Sequence, residues 1–387
     1  MMGRSVMAAL LVLMIFAGGC ISGLQGSGTL QTPTAMSQRT ASSQTGAFPA
    51  TWVNPLVKWE NSTIRLPSQD VRISCSGFLW RYLLEDALPC MLSRLELETI
   101  SPLAETLKRG SLKQSVWNIL EWEGEWVGYD WEKAALPPAR IVTYPDGRQE
   151  VVEGQNNTIQ TPYETIMRGK GVCTDYTLLT DALLLAMNYS PVYAMEINLE
   201  NGPGHAAALV EVNGWYFVLD QHLPPTDLGA YYRYWRREGN GIVNATLYEI
   251  TPGRDLADVR SLGVLQGSEF LNQDYTMKED DAQSLAAAMM EVFEKEFELK
   301  ADDSLVALSQ NRLPHGYKAG WTFKVTFYGL ADYYHPFFLK QYTGWLESRA
   351  LSGMKLPSYV KKSDSIWAEV EIEGNDLVVT IYLGDSR

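Results

Sequence analysis

The stretch GKGVCTDYTLLTDALLLAM, residues 169–187, decides how the rest of the chain is read. Gly169 and Gly171 suit a tight turn, because glycine enters left-handed backbone conformations without a Cβ clash. After Cys173 the apolar residues Leu178, Leu179, Ala182, Leu183, Ala186 and Met187 recur at helical spacing. Asp175 falls in the first turn, where a carboxylate complements the positive end of the helix dipole. The pattern predicts a helix with Cys173 at or near its N-terminus. A thiol there can lose its proton near neutral pH and become a nucleophile. Taken alone, Cys173 reads more simply as a small buried apolar side chain.

What changes that balance lies downstream, in GHAAALVEVNGWYFVLDQH, residues 204–222. Asn213-Gly214 between two apolar runs is a strong hairpin signal, a two-residue type I′ turn. Such a turn pairs Val212 with Trp215. Extending the ladder puts His205 opposite His222 and Asp220 opposite Ala207. His205 and Asp220 then share one face as diagonal neighbours, with backbones roughly 7–8 Å apart. The other face carries Ala206, Ala208, Val210, Val212, Trp215, Phe217 and Leu219, all apolar, and reads as core. The polar face is where the helix bearing Cys173 is expected to pack. Cys, His and Asp together are what thiol acyl transfer needs: a nucleophile, a base, and a carboxylate that orients the base. His222, facing His205 in the same register, is the competing partner for that imidazole.

These segments, Gly171-Val-Cys173-Thr-Asp-Tyr176, then Gly204-His205-Ala-Ala-Ala-Leu-Val-Glu-Val212, then Gly214-Trp215-Tyr-Phe-Val-Leu-Asp220, resemble the transglutaminase-like superfamily. The resemblance runs from about Leu112 to Gln221. It implies a papain-like core, with Cys173 as nucleophile, His205 as base and Asp220 as orienter. The superfamily includes transglutaminases, peptidases and peptide N-glycanase relatives, and some members have lost activity. Ala206 departs from the pattern, since many members carry an aromatic residue after the histidine. The expected fold class is α+β, with helices packed on an antiparallel sheet.

The chain has 387 residues, of which 46 are acidic and 32 basic, for a net charge of −14. Such a balance argues against nucleic acid as a partner, because phosphate binding relies on Lys and Arg. Residues 1–20 read as a lipoprotein-type signal peptide. Arg4 precedes an apolar run from Val6 to Ala17, then small residues stand before Cys20. The run is short for a membrane span. Cys20 is the expected lipid or signal anchor, and the location expected is the cell surface or another extracytoplasmic, membrane-anchored one; a plain cleaved signal peptide or an uncleaved anchor would also put the folded part outside the cytoplasm. Cys75 and Cys90 are a disulfide candidate in such a compartment, closing a loop worth about 3 kcal/mol.

Residues 21–50, rich in Ser, Thr, Gln and Gly, read as a flexible tether. The catalytic domain is expected over 51–260. Within it, Lys113 to Ala135 reads as a helix with Trp117, Trp122, Trp126 and Trp131 on it. Residues 140–152 read as a small hairpin, Gln160 to Arg168 as a helical lead-in, and Pro191 to Leu199 as a strand. The run Tyr231-Tyr-Arg-Tyr-Trp-Arg-Arg237 is either a flap over a groove or a helix packing its aromatics inward. Residues 275–387 read as a small C-terminal α+β module: an amphipathic helix over Met277 to Lys300, a strand over Trp321 to Tyr328, a helix over His335 to Ser348, and a hairpin turning at Gly374-Asn375.

No zinc, EF-hand or nucleotide-loop pattern is present, so neither metal nor cofactor is expected. The function expected is a thiol enzyme acting on peptide-type amides through a Cys173 acyl-enzyme, as protease, transamidase or deamidase. The alternative is an idle surface lipoprotein that binds peptide or glycan, the latter through Tyr232 or Trp235.

Overall fold

The computed structural model describes residues 56–67, 79–152, 157–353 and 356–387, together with the backbone of a short strand β1 (Leu10–Val12). The expectations for the lipobox at Cys20, the tether and Cys75 lie outside the described residues.

After β1 the described residues form a hairpin, β2 (Leu56–Trp59) and β3 (Ser62–Arg65), then helices α1 (Leu84–Met91), α2 (Arg94–Leu107) and α3 (Leu112–Trp126). A two-residue strand β4 (Gly128–Tyr129), a short helix α4 (Trp131–Ala134) and a hairpin, β5 (Ile141–Thr143) with β6 (Gln149–Val151), follow. The expected single helix through Ala135 thus breaks at Val127, and Trp131 starts a new one. Helix α5 (Pro162–Arg168) leads through β7 (Lys170–Gly171) into α6 (Cys173–Ala186). Then come β8 (Val192–Leu199), β9 (His205–Val212), β10 (Trp215–Leu219), β11 (Thr226–Asp227), helix α7 (Leu228–Arg237), β12 (Ile242–Pro252) and β13 (Ala257–Gln266).

These later strands make one antiparallel sheet in the order β11-β10-β9-β8-β12-β13. Helix α6 is buried nearly all round, and its buried polar side chains Asp175, Thr177 and Thr180 are hydrogen-bonded inside the fold. It lies on the sheet face made by Ala206, Ala208, Val210, Phe217 and Leu219. This corrects the expectation that the Cys173 helix covers the other face. That other face, with Ala207, Leu209 and Val218, is covered by α7 through Leu228, Tyr231 and Trp235. Two apolar layers therefore sandwich the sheet, and Ala206 belongs to the same core cluster as the leucines of α6.

The remainder contains α8 (Glu279–Phe297), β14 (Lys300–Ala301), β15 (Ala319–Phe327), α9 (Leu339–Gly353), α10 (Leu356–Val360), β16 (Ser365–Glu373) and β17 (Asp376–Asp385). Its sheet runs β15-β17-β16-β14, with β1 parallel to β15 at the outer edge. The turn at Gly374-Asn375 pairs Glu373 with Asp376. Leu285, Met289 and Phe293 form the buried stripe of α8. This part shares its apolar core with the first. Trp117 of α3 meets Phe338, Tyr342 and Trp345, at ring-centroid distances of 6.4, 5.2 and 6.5 Å. The fold is α+β, helices on antiparallel sheet, throughout.

Candidate active site

The approach to Cys173 is built by glycine and one carboxylate. Gly169 ends α5 with φ of +60°, a left-handed cap. At Gly171 an added Cβ would stand 2.8 Å from the Cβ of Asp175, so no larger residue fits without movement. Asp175 is fully buried and gathers the surrounding donors. Its Oδ2 accepts from the Val172 N–H at 2.8 Å and from Gln160 Nε2 at 2.9 Å; its Oδ1 accepts from the Gln160 N–H at 2.8 Å. The Lys133 ammonium pairs with the same carboxylate. The first turn of α6 is thereby tied to α4 and to the segment before α5. Cys173 opens the helix and is 7% exposed.

His205 opens β9, the strand on which α6 lies, and is 5% exposed. The hairpin register is the expected one, from Val212↔Trp215 to Ala208↔Leu219. The ladder then stops. Gln221 takes φ of +65° and the His222 N–H turns back onto the Asp220 carbonyl at 2.7 Å. That turn carries His222 away from the position opposite His205. Its Nδ1 lies instead against Gly124 of α3, and burial lowers its pKa. The partner of His205 is Asp220, with Nε2 to Oδ2 at 2.9 Å.

Asp220 has two further donors. The Tyr231 hydroxyl donates to the same Oδ2 at 2.8 Å, and Gln221 Nε2 donates to Oδ1 at 3.0 Å. Burial alone would raise the Asp220 pKa, but the facing imidazole and these donors hold it below the ordinary carboxylate value. Helix α6 packs on β9, the strand that His205 opens. The Tyr176 pKa is raised, first by burial and then by Glu123, Asp175 and Asp220.

Tyr231 and Gln221 are the members of this cluster that sequence reading did not assign. The signal for Tyr231 was its i,i+4 spacing to Trp235 on one helix face. Trp235 packs on the His205 ring with centroids 5.0 Å apart and is 2% exposed. Of the two readings of residues 231–237, the structure has the helix with aromatics inward. Tyr232 stands apart, against Phe270 and beneath Arg236.

Behind the site, α3 and α6 enclose two carboxyl groups. Glu123 accepts from Thr180 Oγ1 at 2.8 Å, and burial pushes its pKa to about 8. Asp181 is raised well above its ordinary value, first by burial and then by Glu123. Among the described residues no group of three or more His, Cys, Asp or Glu converges as a metal site requires. None of their helices is long and apolar enough to cross a membrane. Cys90 is disulfide-bonded; Cys75, its expected partner, lies outside the described residues.

A family model described as a transglutaminase-like domain matches residues 98–248, a span that holds Cys173, His205 and Asp220. A UPF0252 protein of Archaeoglobus fulgidus is 39% identical over 265 residues, covering 68% of this chain and 78% of its own length. One from Pyrococcus furiosus is 30% identical over 304 residues, covering 78% of this chain and 84% of its own. Another, from Methanocaldococcus jannaschii, is 26% identical over 202 residues, covering 51% and 54% respectively. With two such relatives matched over most of their length, the chain belongs to the UPF0252 family, and its core is a transglutaminase-like domain.

Proposed function

We propose that the protein is an extracytoplasmic thiol enzyme that acts on peptide-type amides through an acyl-enzyme on Cys173. The observation that carries the reading is the 2.9 Å contact between His205 Nε2 and Asp220 Oδ2. With Nε2 committed to the carboxylate, Nδ1 is the imidazole nitrogen left to exchange a proton with a thiol. Asp220 holds the ring in that tautomer and stabilises the imidazolium once formed.

The Cys173 sulfur, its proton taken by His205, attacks the amide carbonyl carbon. The N–H groups at the start of α6 are the donors for the developing oxyanion. As the C–N bond breaks, His205 returns the proton to the leaving amine and a thioester remains on Cys173. Water or a second amine then attacks the thioester, His205 takes its proton, and the thiolate is released. Water completes hydrolysis or deamidation; an amine completes transamidation.

The test is iodoacetamide alkylation across pH for the wild type, Cys173→Ser and His205→Ala. Labelling at Cys173 is expected with an apparent pKa well below the ordinary thiol value of about 8.5, raised in His205→Ala. An ordinary pKa that the histidine change leaves in place would refute the reading and favour an idle binder. The export part of the proposal rests on the Arg4–Cys20 pattern. Cell fractionation tests it, with loss of the membrane-bound form expected for Cys20→Ser.

A further inference from the structure

We infer that α7 is the positioning element of the site, with Tyr231 setting the charge on the Asp220 oxygen that faces His205. The inference rests on the Cys173, His205 and Asp220 reading above. Tyr231 and Trp235 stand one helical turn apart, and each takes one member of the His–Asp pair. The Tyr231 hydroxyl donates to Asp220 Oδ2 at 2.8 Å, and the Trp235 ring packs on His205. Both side chains are at least nine-tenths buried. Tyr231 and His205 therefore compete for one carboxylate oxygen. A charge shared with a second donor is a weaker partner for the imidazolium.

The helix that presents these two residues is itself seated firmly. Asp227 caps it, accepting from the Ala230 N–H at 2.8 Å. At Gly229 an added Cβ would stand 2.2 Å from Asp274, so the helix start is pressed against the following segment. Arg233 pairs with Asp274, and Arg237 pairs with Asp332. Asp332 lies beyond α8, so the C-terminal part of the chain helps to hold the helix that holds the site. Other groups in range of the Asp220 charge are Glu123 on α3, Tyr176 on α6, His222 and Tyr234. None of these donates to Oδ2, so Tyr231 is the one whose change acts on that oxygen directly.

The experiment measures the rate of Cys173 alkylation by iodoacetate against pH, for the wild type, Tyr231→Phe and His205→Ala. The anionic reagent reacts more slowly once the neighbouring imidazolium loses its proton, so the falling limb of the profile reports the histidine. Removing the hydroxyl concentrates negative charge on the Asp220 oxygen facing His205 and is expected to move that limb to higher pH by about half a unit, since only part of the lost hydrogen bond is transmitted to the imidazolium. The ring proton on His205 Nε2, followed by NMR, is expected to shift in the same variant and gives a readout independent of the reagent. A Tyr231→Phe profile that superposes on the wild type while His205→Ala changes it overturns the positioning role alone. Profiles unmoved in both variants overturn the triad reading and this inference with it.

Discussion

Asp220 Oδ2 and His205 Nε2 stand 2.9 Å apart although the strand ladder that brings their segments together stops at Leu219, one residue short of the carboxylate. The contact depends on the chain leaving the ladder at that point. Had the pairing continued, His222 would face His205 across the hairpin. The left-handed Gln221 turns His222 toward α3 and leaves Asp220 as the hydrogen-bond partner.

Replacing Asp220 by Asn removes the charge while keeping the side-chain size. The imidazolium loses its counter-ion, so the apparent pKa of Cys173 is expected to rise by about one unit or more in iodoacetamide titration. Turnover of any amide substrate is expected to fall on the order of 10³- to 10⁴-fold. The Asp220 pKa lies below its ordinary value, held there by the facing imidazole and its hydrogen-bond donors, so the titration should show no carboxylate step shifted up toward neutral pH.

Glu123 shapes the pH dependence of stability. Its folded pKa of about 8 lies above the unfolded value, so the folded state holds more protons between about pH 4.5 and 8. The Glu123 contribution is present below that window and is lost as pH rises through it, at up to about 1.4 kcal/mol per unit. Glu123→Gln is expected to make the fall in melting temperature from pH 5 to pH 8 shallower. Calorimetry at several pH values checks this; an unchanged slope would mean that Glu123 is not buried as a neutral acid.

The cap of the Cys173 helix gives a third expectation. Gly171→Ala places a methyl 2.8 Å from the Asp175 Cβ, and Asp175 braces Val172, Gln160 and Lys133. Overpacking of this kind costs about 1–3 kcal/mol. Urea denaturation should show that loss, and Cys173 labelling should accelerate if the first turn of α6 loosens. Unchanged stability would show that the turn has room to shift.

Helix α3 meets the C-terminal part of the chain through Trp117, which is 3% exposed and ringed by Phe338, Tyr342 and Trp345. Trp117→Ala is expected to cost about 3–5 kcal/mol. Because the core is shared, tryptophan fluorescence and far-ultraviolet circular dichroism should report one coincident urea transition in the wild type. Two separated transitions would show that residues 275–387 fold as an independent unit.

Local pattern alone determined much of this protein. Helical spacing after Cys173, the Asn213-Gly214 turn and its register, the small hairpin over 140–152, and the turn at Gly374-Asn375 each follow from rules that act within a few residues. The roles proposed for Cys173, His205 and Asp220 came instead from the resemblance of three motifs, in order, to the transglutaminase-like superfamily. Only the tertiary structure decided which sheet face α6 covers, because both faces of β9 are apolar past His205 and the pattern does not rank them. It also decided that His222 turns away, since one left-handed residue ends a register that simple extension would prolong. The long β12–β13 hairpin carried too little alternation to be read, with β13 exposed along much of its length. Tyr231 joined the site through a helix that packs across the sheet from the opposite side to α6. A contact of that kind is set by how whole elements stack, not by the spacing of residues along the chain.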